Sequence, residues 1–504
     1  MSELIAGLPP PPPPVEPRVA AAVILWRDGP RGREVFWVKR LNVLRFAGGF
    51  YAFPGGALDE EDGRVAVPGL SGRAAALAAC ATREVFEETG ILLTAGPRLP
   101  REVRAAARRA LLEGTLDFGA FLERHGLSVD RGRLVEAGRW ITPAHAPYRY
   151  DATVFVTAAP VEEEAEVWPG ELTEGSWVVA AEAVERWSSG EVLLHPPNLW
   201  GLQCLAAAAP PACVERLRNP PGVEELVSRR IEFQRGLFLA PVRTPTLPPA
   251  THTNCWILDL GGGALALVDP GSPYPEEQAR LERVLADLAE EGLRPGEIWL
   301  THHHADHVGG VAALLARHEG LVVRLHRETA ARLPQLDGGD RAGAVRLASD
   351  GDALPGGWRA VFTPGHAPGH LAFLNERSRA LLAGDMVSTL STIVIDPPDG
   401  DMAEYLRSLE RLRDLGPRAL FPAHGAPTQD GVGKLREYLV HRRERERKVV
   451  DALDSPGTLE EVTARAYDDT PAFMLPVAAR SCLASLQKLE RDGRARREGE
   501  RWMR

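Results

Sequence analysis

The chain has 504 residues, 44% hydrophobic and 25% charged, with 59 Lys and Arg against 69 Asp and Glu, for a formal net charge of -10. That length leaves room for about three domains with sizeable cores, and the negative balance argues against bulk nucleic-acid binding. Five scattered cysteines (Cys80, Cys204, Cys213, Cys255, Cys482) form no C-x-x-C pair, which suits a reducing cytoplasm and excludes a cysteine-based zinc site; no apolar run is long enough to span a bilayer.

Residues 1–17 hold the proline run Pro9–Pro14 and read as a disordered, extended spacer. A signal sequence would need a basic start and an apolar stretch. Residues 18–230 form the first module. Arg18–Trp26 and Val35–Lys39 read as partner strands. Phe53-Pro54-Gly55-Gly56 is followed by Arg83-Glu84-Val85-Phe86-Glu87-Glu88-Thr89-Gly90-Ile91. On a helix Glu84, Glu87 and Glu88 are spaced i, i+3, i+4 and share a face. Three like charges on one stripe repel unless a cation sits among them, and hard carboxylate oxygens suit magnesium or manganese. Arg83 can orient one carboxylate, and Gly90 can end the helix in the left-handed conformation. The plain alternative is a solvated acidic helix. Arg101–His125 reads as inserted helices. Strands return at Trp140–Pro143 and Tyr150–Val156, then a strand and a helix at Gly175–Trp187 and a helix at Val192–Ala209. Asn219-Pro220-Pro221-Gly222 is a breaker cluster.

The Arg83–Gly90 core resembles the Nudix box, whose loop-helix-loop binds a divalent metal and a diphosphate substrate. That resemblance implies an α/β/α sandwich and a metal held by Glu84, Glu87 and Glu88, with Glu87 catalytic. The family spacing is not kept: counting from Gly56 places Asp62, not Glu, at the acidic loop position and Leu70 where Arg83 should stand. Phe50–Gly56 with an interrupted box is similar to the coenzyme A diphosphatase branch.

Residues 231–430 form the second module, with short strands at Asn254–Leu258 and Ala264–Gly271 and a helix at Pro275–Glu291. After the apolar Glu297–Leu300 comes Thr301-His302-His303-His304-Ala305-Asp306-His307. Such close spacing fits a strand ending in a tight loop whose side chains converge, and imidazoles with a carboxylate suit zinc or a similar ion. More candidates follow apolar runs: His366 on a turn, Asp385 just past a buried strand, and His424. His303 reads as a bystander pointing away, and His370 as a supporting or structural histidine rather than a ligand. Asp269 is either a hydrogen-bond acceptor near the metals or an ordinary turn residue.

Residues 431–504 form a third, small module. Tyr438–Leu453 reads as a helix whose centre, His441–Lys448, is a solvated run of mixed charge. Thr458–Tyr467 and Pro476–Asp492 add two helices, and Gly493–Trp502 a hairpin. These elements resemble a winged helix. Lys488, Arg491, Arg494, Arg496, Arg497, Arg501 and Arg504 make this end locally basic, tempered by Glu490, Asp492, Glu498 and Glu500. Packing against the metal domain is favoured over nucleic-acid contact.

The metal motifs closely resemble those of metallo-β-lactamase fold hydrolases, built as αββα sandwiches. With Ser391–Pro398 and the terminal module they are similar to the β-lactamase-like protein 2 group, which includes mitochondrial endoribonucleases acting on single-stranded RNA. The resemblance implies one metal on His302, His304 and His366, a second on Asp306, His307 and His424, and Asp385 between them, with Asp306 catalytic. The expectation is a multidomain α+β and α/β protein, a cytoplasmic bifunctional metallohydrolase. Its first centre would use magnesium or manganese to cleave a nucleotide or coenzyme A-type diphosphate. Its second, with two zinc or similar ions, would use a metal-bound hydroxide on an ester, thioester or phosphodiester. The alternatives are an RNA-processing endoribonuclease with a nucleotide-binding Nudix domain, and a non-catalytic Nudix scaffold.

Overall fold

In the computed structural model the described residues are 13–42, 48–336 and 345–504. Most of the proline-rich start, residues 1–12, therefore lies outside them. The described chain falls into two compact units, residues 13–235 and 236–504. The strand Ile231–Gln234 belongs to the first unit, and the terminal helices and hairpin belong to the second.

The first unit is built on a mixed sheet. Arg18–Gly29 runs parallel to Tyr150–Ala158 and antiparallel to Gly32–Arg40, which pairs on its other edge with Leu172–Val179. Successive side chains of a strand point to opposite faces. Ala21, Val23, Leu25, Phe36 and Val38 accordingly join one core, with the Gly72–Thr89, Arg101–Leu112 and Phe118–Arg124 helices. Ile24, Val35 and Trp37 join the other, with the Ala180–Ser188, Pro196–Ala207 and Ala212–Arg218 helices. Both faces are covered, which is why these strands are apolar throughout rather than alternating. Two details differ from expectation. Residues 192–195 precede the Pro196 helix instead of belonging to it, because the paired prolines sit best in a first helical turn. Ala212–Arg218 forms a helix of its own beyond Pro210-Pro211.

The second unit packs two sheets face to face. Leu237–Arg243, His252–Asp259, Ala264–Val268, Arg294–Trp299, Val322–Leu325 and Val345–Leu347 lie side by side in that order. Ala353–Leu354, Trp358–Phe362, Leu371–Asn375, Ala380–Ser388 and Ala419–His424 form the other sheet. Trp256 meets Phe421 and Trp299 meets Phe373 between them, with ring centroids 5.2 Å apart in each pair. The outer faces bury Leu281, Leu285 and Leu288 of the Pro275–Glu290 helix on one side, and Tyr405, Leu409 and Leu412 of the Met402–Asp414 helix on the other. The Gly431–Ala452 helix, the Leu459–Ala466 and Leu475–Arg491 helices and the Arg496–Glu498/Arg501–Met503 hairpin complete the unit.

The middle of the Gly431–Ala452 helix corrects the solvated reading of His441–Lys448. Arg442 is only 5% exposed and donates to the carbonyl of Ile393, and Arg445 donates to the carbonyl of Ala466. A charge run read one residue at a time hides which member faces a neighbouring element. Among the described residues, no helix is long and apolar enough to cross a membrane.

Candidate metal centres

In the first unit the Gly72–Thr89 helix carries Glu84, Glu87 and Glu88 on one face, and Gly90 closes it with φ 76 and an amide donating to Phe86 O. Arg83 ties the face together. Its Nε and Nη2 donate to the two oxygens of Asp62, each at 2.8 Å, and its Nη1 donates to Glu84 at 2.9 Å and Glu87 at 3.3 Å. Asp62, 1% exposed, thus sits against Arg83 although 13 extra residues separate the two relative to the family spacing. Arg83 stands well inside the Gly72–Thr89 helix, so a short loop and the first three turns of that helix together span the stretch from Asp62 to Arg83. The glycine at 56 has a steric reason: a Cβ there would stand 2.4 Å from Glu84 Oε1. Glu88 accepts from the Gly55 amide at 3.0 Å.

Burial dominates the acidities here. It pushes Glu84 up to about 7 against the pull of Arg83, and Glu88 up to about 8 with help from the Glu84 charge. Glu87 is raised by burial as well. Carboxylates crowded into a low-dielectric niche, with one guanidinium among them, hold protons unless another cation replaces them. That donor set fits a hard divalent ion.

In the second unit the sequence-predicted residues converge. His302, His304 and His366 form one group of three donor atoms within 4.8 Å of one another, and Asp306, His307 and His424 form another. Asp385 joins His302 and His307 in a third such group and lies 3.4 Å from both His366 Nε2 and His424 Nε2. His304 presents Nδ1, which stands 2.9 Å from His302 Nε2 and 3.0 Å from His366 Nε2. Asp385 lies within the Ala380–Ser388 strand rather than past its end, at a point where the pairing with Ala419–His424 shifts register. That break turns its carboxylate toward the histidines.

The far nitrogen of each Nε2-presenting ring has a partner. His307 Nδ1 lies 2.9 Å from Asp269 Oδ2, His302 Nδ1 2.9 Å from Thr301 Oγ1, His366 Nδ1 3.0 Å from Val394 O and His424 Nδ1 2.9 Å from His252 O. A proton on each Nδ1 leaves the Nε2 lone pair facing the cluster. His307 Nε2 and Asp385 Oδ1 are buried with no hydrogen-bond partner among the described residues. Asp269, the open question of the sequence, is buried, has φ 50, and accepts from the Thr301 amide at 2.8 Å and hydroxyl at 2.7 Å as well as from His307. Strained backbone at a buried aspartate persists when its surroundings over-determine it.

His370 donates to no cluster atom. Its Nδ1 meets Thr363 Oγ1 at 2.8 Å and its Nε2 accepts from the Asp385 amide at 3.1 Å, so it holds the backbone beneath that carboxylate. His303 turns to Asp399, 3.0 Å away. Burial and neighbouring imidazoles hold His302 and His304 well below the usual histidine range. Burial opposes protonation of His307 too, but Asp385, Asp269 and Asp306 carry it well above that range; neighbouring histidines, His424 and His307 first, hold Asp385 well below the carboxylate range despite its burial. Lone pairs from five rings and two acids turned inward fit two borderline divalent ions.

Sequence reasoning missed three supports. Thr301 precedes the histidines without any periodic signal. Arg442 donates to Ile393 O, and Ser481 accepts from the Ile395 amide at 3.0 Å, so the terminal module grips both sides of Val394, the residue that orients His366. Only the fold reveals that bridge. A cavity of about 340 Å³ opens on the cluster, bounded by His304, Asp306, His366, Asp385 and His424 and further along by residues of the terminal module.

Comparison with known proteins gives three matches to family models. Residues 63–205 match the NUDT19 Nudix domain, residues 248–424 the metallo-beta-lactamase superfamily and residues 458–502 the beta-lactamase associated winged helix domain. The lactamase-like protein nscB of Trichophyton rubrum is 31% identical over 259 residues, 48% of this chain and 74% of its own length. The beta-lactamase-like protein 2 homolog of Drosophila melanogaster is 30% identical over 50% of this chain and 87% of its own. Among solved structures, a metallo-beta-lactamase family protein from Thermus thermophilus is 29% identical with a TM-score of 0.45, over 54% of this chain and all of its own. A Nudix hydrolase from Alicyclobacillus acidocaldarius is 30% identical with a TM-score of 0.37, over 41% of this chain and 99% of its own.

Proposed function

This chain belongs to the metallo-β-lactamase superfamily through its second half, with a Nudix domain ahead of it, and we propose that it is a hydrolase with two separate metal centres of different chemistry. One observation carries the reading: His302, His304, His307, His366, His424, Asp306 and Asp385 aim their donor atoms at one another while the opposite nitrogens of His302, His307, His366 and His424 are tied to Thr301, Asp269 and backbone carbonyls.

His302, His304 and His366 would hold one ion, Asp306, His307 and His424 another, and Asp385 would lie between them. Glu84, Glu87 and Glu88 would hold magnesium or manganese in the Nudix domain. Bound ions would lower the pKa of a water and polarise the carbonyl or phosphoryl group attacked. The protein's share is orientation. Asp269 fixes the His307 ring and its proton at Nδ1, His370 anchors the Asp385 amide, and Arg83 keeps three carboxylates, those of Glu84, Glu87 and Asp62, in register. The substrates of the second centre are esters, thioesters or phosphodiesters of small molecules. The first cleaves a nucleoside or coenzyme A-type diphosphate.

The ion pairing of the terminal module favours a small molecule over single-stranded RNA. Lys488 and Arg494 both reach Glu446, Arg491 reaches Asp401, Arg501 reaches Glu461 and Arg504 reaches Asp454. A surface built for phosphates would leave such cations unpaired.

The test is a substrate screen on the full-length chain and on its Glu87→Gln and His304→Ala variants. Coenzyme A thioesters, aryl esters, diphosphates and single-stranded RNA are scored side by side. Thioester or ester cleavage lost only in His304→Ala, and diphosphate cleavage lost only in Glu87→Gln, is the expected result. RNA cleavage with a steep salt dependence and no ester turnover would overturn the small-molecule reading.

A further inference from the structure

The wall of the metal-centre cavity that comes from the terminal module contains three arginines, Arg442, Arg445 and Arg480. Two of them are neutralised locally: Arg445 pairs with Asp469 at 2.9 Å, and Arg480 pairs with Asp396. Arg442 differs. It is 5% exposed, donates to Ile393 O and lies 5.1 Å over the Tyr405 ring, and it has no carboxylate partner among the described residues. Tyr405 offers no countercharge, because its hydroxyl already donates to Met386 O at 2.7 Å and burial raises it to about 12.

A guanidinium taken out of water without an opposing charge is strongly unfavourable. Its Nε is one of the buried donors left without an acceptor. A second unpartnered group stands on the same wall: the Tyr467 hydroxyl, on a residue 8% exposed, whose ring stacks beneath Arg445 at 4.2 Å. Hydroxyl and guanidinium are both donors, and neither Tyr467 Oη nor Arg442 Nε has an acceptor among the described residues. Both residues line the cavity, and donors of this kind fit a ligand oxygen that brings negative charge. The same wall also carries the apolar Met474, Val477 and Ala478 beside the polar His441, Thr470 and Ser481.

We propose that Arg442 and the Tyr467 hydroxyl form an oxyanion-binding subsite of the metal cavity, taking a carboxylate or phosphate on the part of the substrate that is not cleaved. The assignment rests on the hydrolytic reading of the neighbouring centre. The subsite would set specificity through KM and through alignment of the scissile group, since binding energy from remote groups serves positioning at the reacting centre.

The experiment uses the full-length, metal-loaded protein and three aryl thioesters of equal acyl length, ending in a methyl, a carboxylate or a phosphate. Arg442→Gln should lower kcat/KM on the preferred anionic ester about 10- to 100-fold more than on the neutral one, the range of a charge-assisted bond, the loss on the neutral ester reporting the share that passes through Ile393 to His366. Arg442→Lys should recover part of the loss, and Tyr467→Phe should show a smaller effect in the same direction. Whichever anion wild type prefers identifies the source. A second readout needs no turnover: inorganic phosphate should raise the unfolding temperature of the metal-free wild-type chain and leave that of Arg442→Gln unmoved. If wild type cleaves none of the three, the thioester reading of the centre fails, while the phosphate shift still decides the subsite. Equal losses on neutral and anionic esters with a fall in metal content would assign Arg442 to holding Ile393 alone, and the proposal would be wrong. It would also be wrong if phosphate shifted both proteins equally. Should Arg442→Gln fail to fold, Tyr467→Phe carries the same comparison.

Discussion

Replacing Glu88 by Gln should stabilise the metal-free Nudix domain at neutral pH, the reverse of what loss of a buried hydrogen-bonding residue usually does. Glu88 is raised from 4.5 to about 8, first by burial and then by the charge of Glu84. A carboxylate whose folded pKa lies above its unfolded one contributes stability that is complete below the unfolded value and is lost as pH rises through the folded one. At pH 7.5 the unfolded chain ionises this group about three pH units above its pKa, whereas the folded chain must keep it protonated. At 1.36 kcal/mol per unit that is a cost of roughly 4 kcal/mol. The figure is a ceiling, because Glu88 keeps some solvent contact and shares its proton balance with Glu84, itself raised to about 7. Gln keeps an oxygen to accept from the Gly55 amide and never ionises.

The assay is hydrogen exchange of the Gly72–Thr89 helix amides in the full-length chain, comparing wild type and variant at matched pH. Without metal, the variant should be protected more strongly at pH 7.5, by up to about 10³-fold, and nearly equally at pH 5. Millimolar magnesium should then protect wild type, by binding the ionised carboxylates, and do little for the variant. A metal-free variant that exchanges faster than wild type at pH 7.5 would show that the carboxylate is not under electrostatic strain. Equal protection of both proteins by magnesium would remove Glu88 from the metal site.

Asp306→Ala should lower the metal content of the second unit from about two ions and abolish its hydrolysis; full activity in this variant would sink the two-ion reading, as elemental analysis beside the assay would show. Asp269→Asn should weaken metal binding about 10- to 100-fold by loosening the His307 ring, whose Nδ1 it accepts from, and a competitive chelator titration reads this without turnover. Glu87→Gln should cut diphosphate hydrolysis by ~10²-fold or more while leaving ester cleavage within about twofold, and His304→Ala should do the converse; loss of both activities in either folded variant would refute independent centres. After chelation, magnesium should restore only the diphosphatase, and zinc or manganese should then restore the other reaction.

Donors and periodicities were legible in the chain alone. The i, i+3, i+4 spacing of Glu84, Glu87 and Glu88 fixes a shared face on any helix, and apolar runs ending at His302 and His424 place polar groups where strands finish, whereas Asp385 sits inside its strand. These are local properties, carried by 3.6- and 2-residue repeats, and they survive the 13-residue insertion before Arg83 because the spacing within the helix is set by its own turns. Which groups face each other across long separations was settled by packing. Asp269 was an even choice between turn residue and support until Thr301 and His307 were seen to donate to it from 32 and 38 residues away. Asp62 became the clamp of Arg83 only when the loop closed. Arg442 was one charge in a solvated run until the helix that carries it was laid against Ile393 and Tyr405. No short-range pattern encodes such meetings, because the packing of distant elements, not the neighbours in the chain, selects which side chain of a polar stretch loses its water.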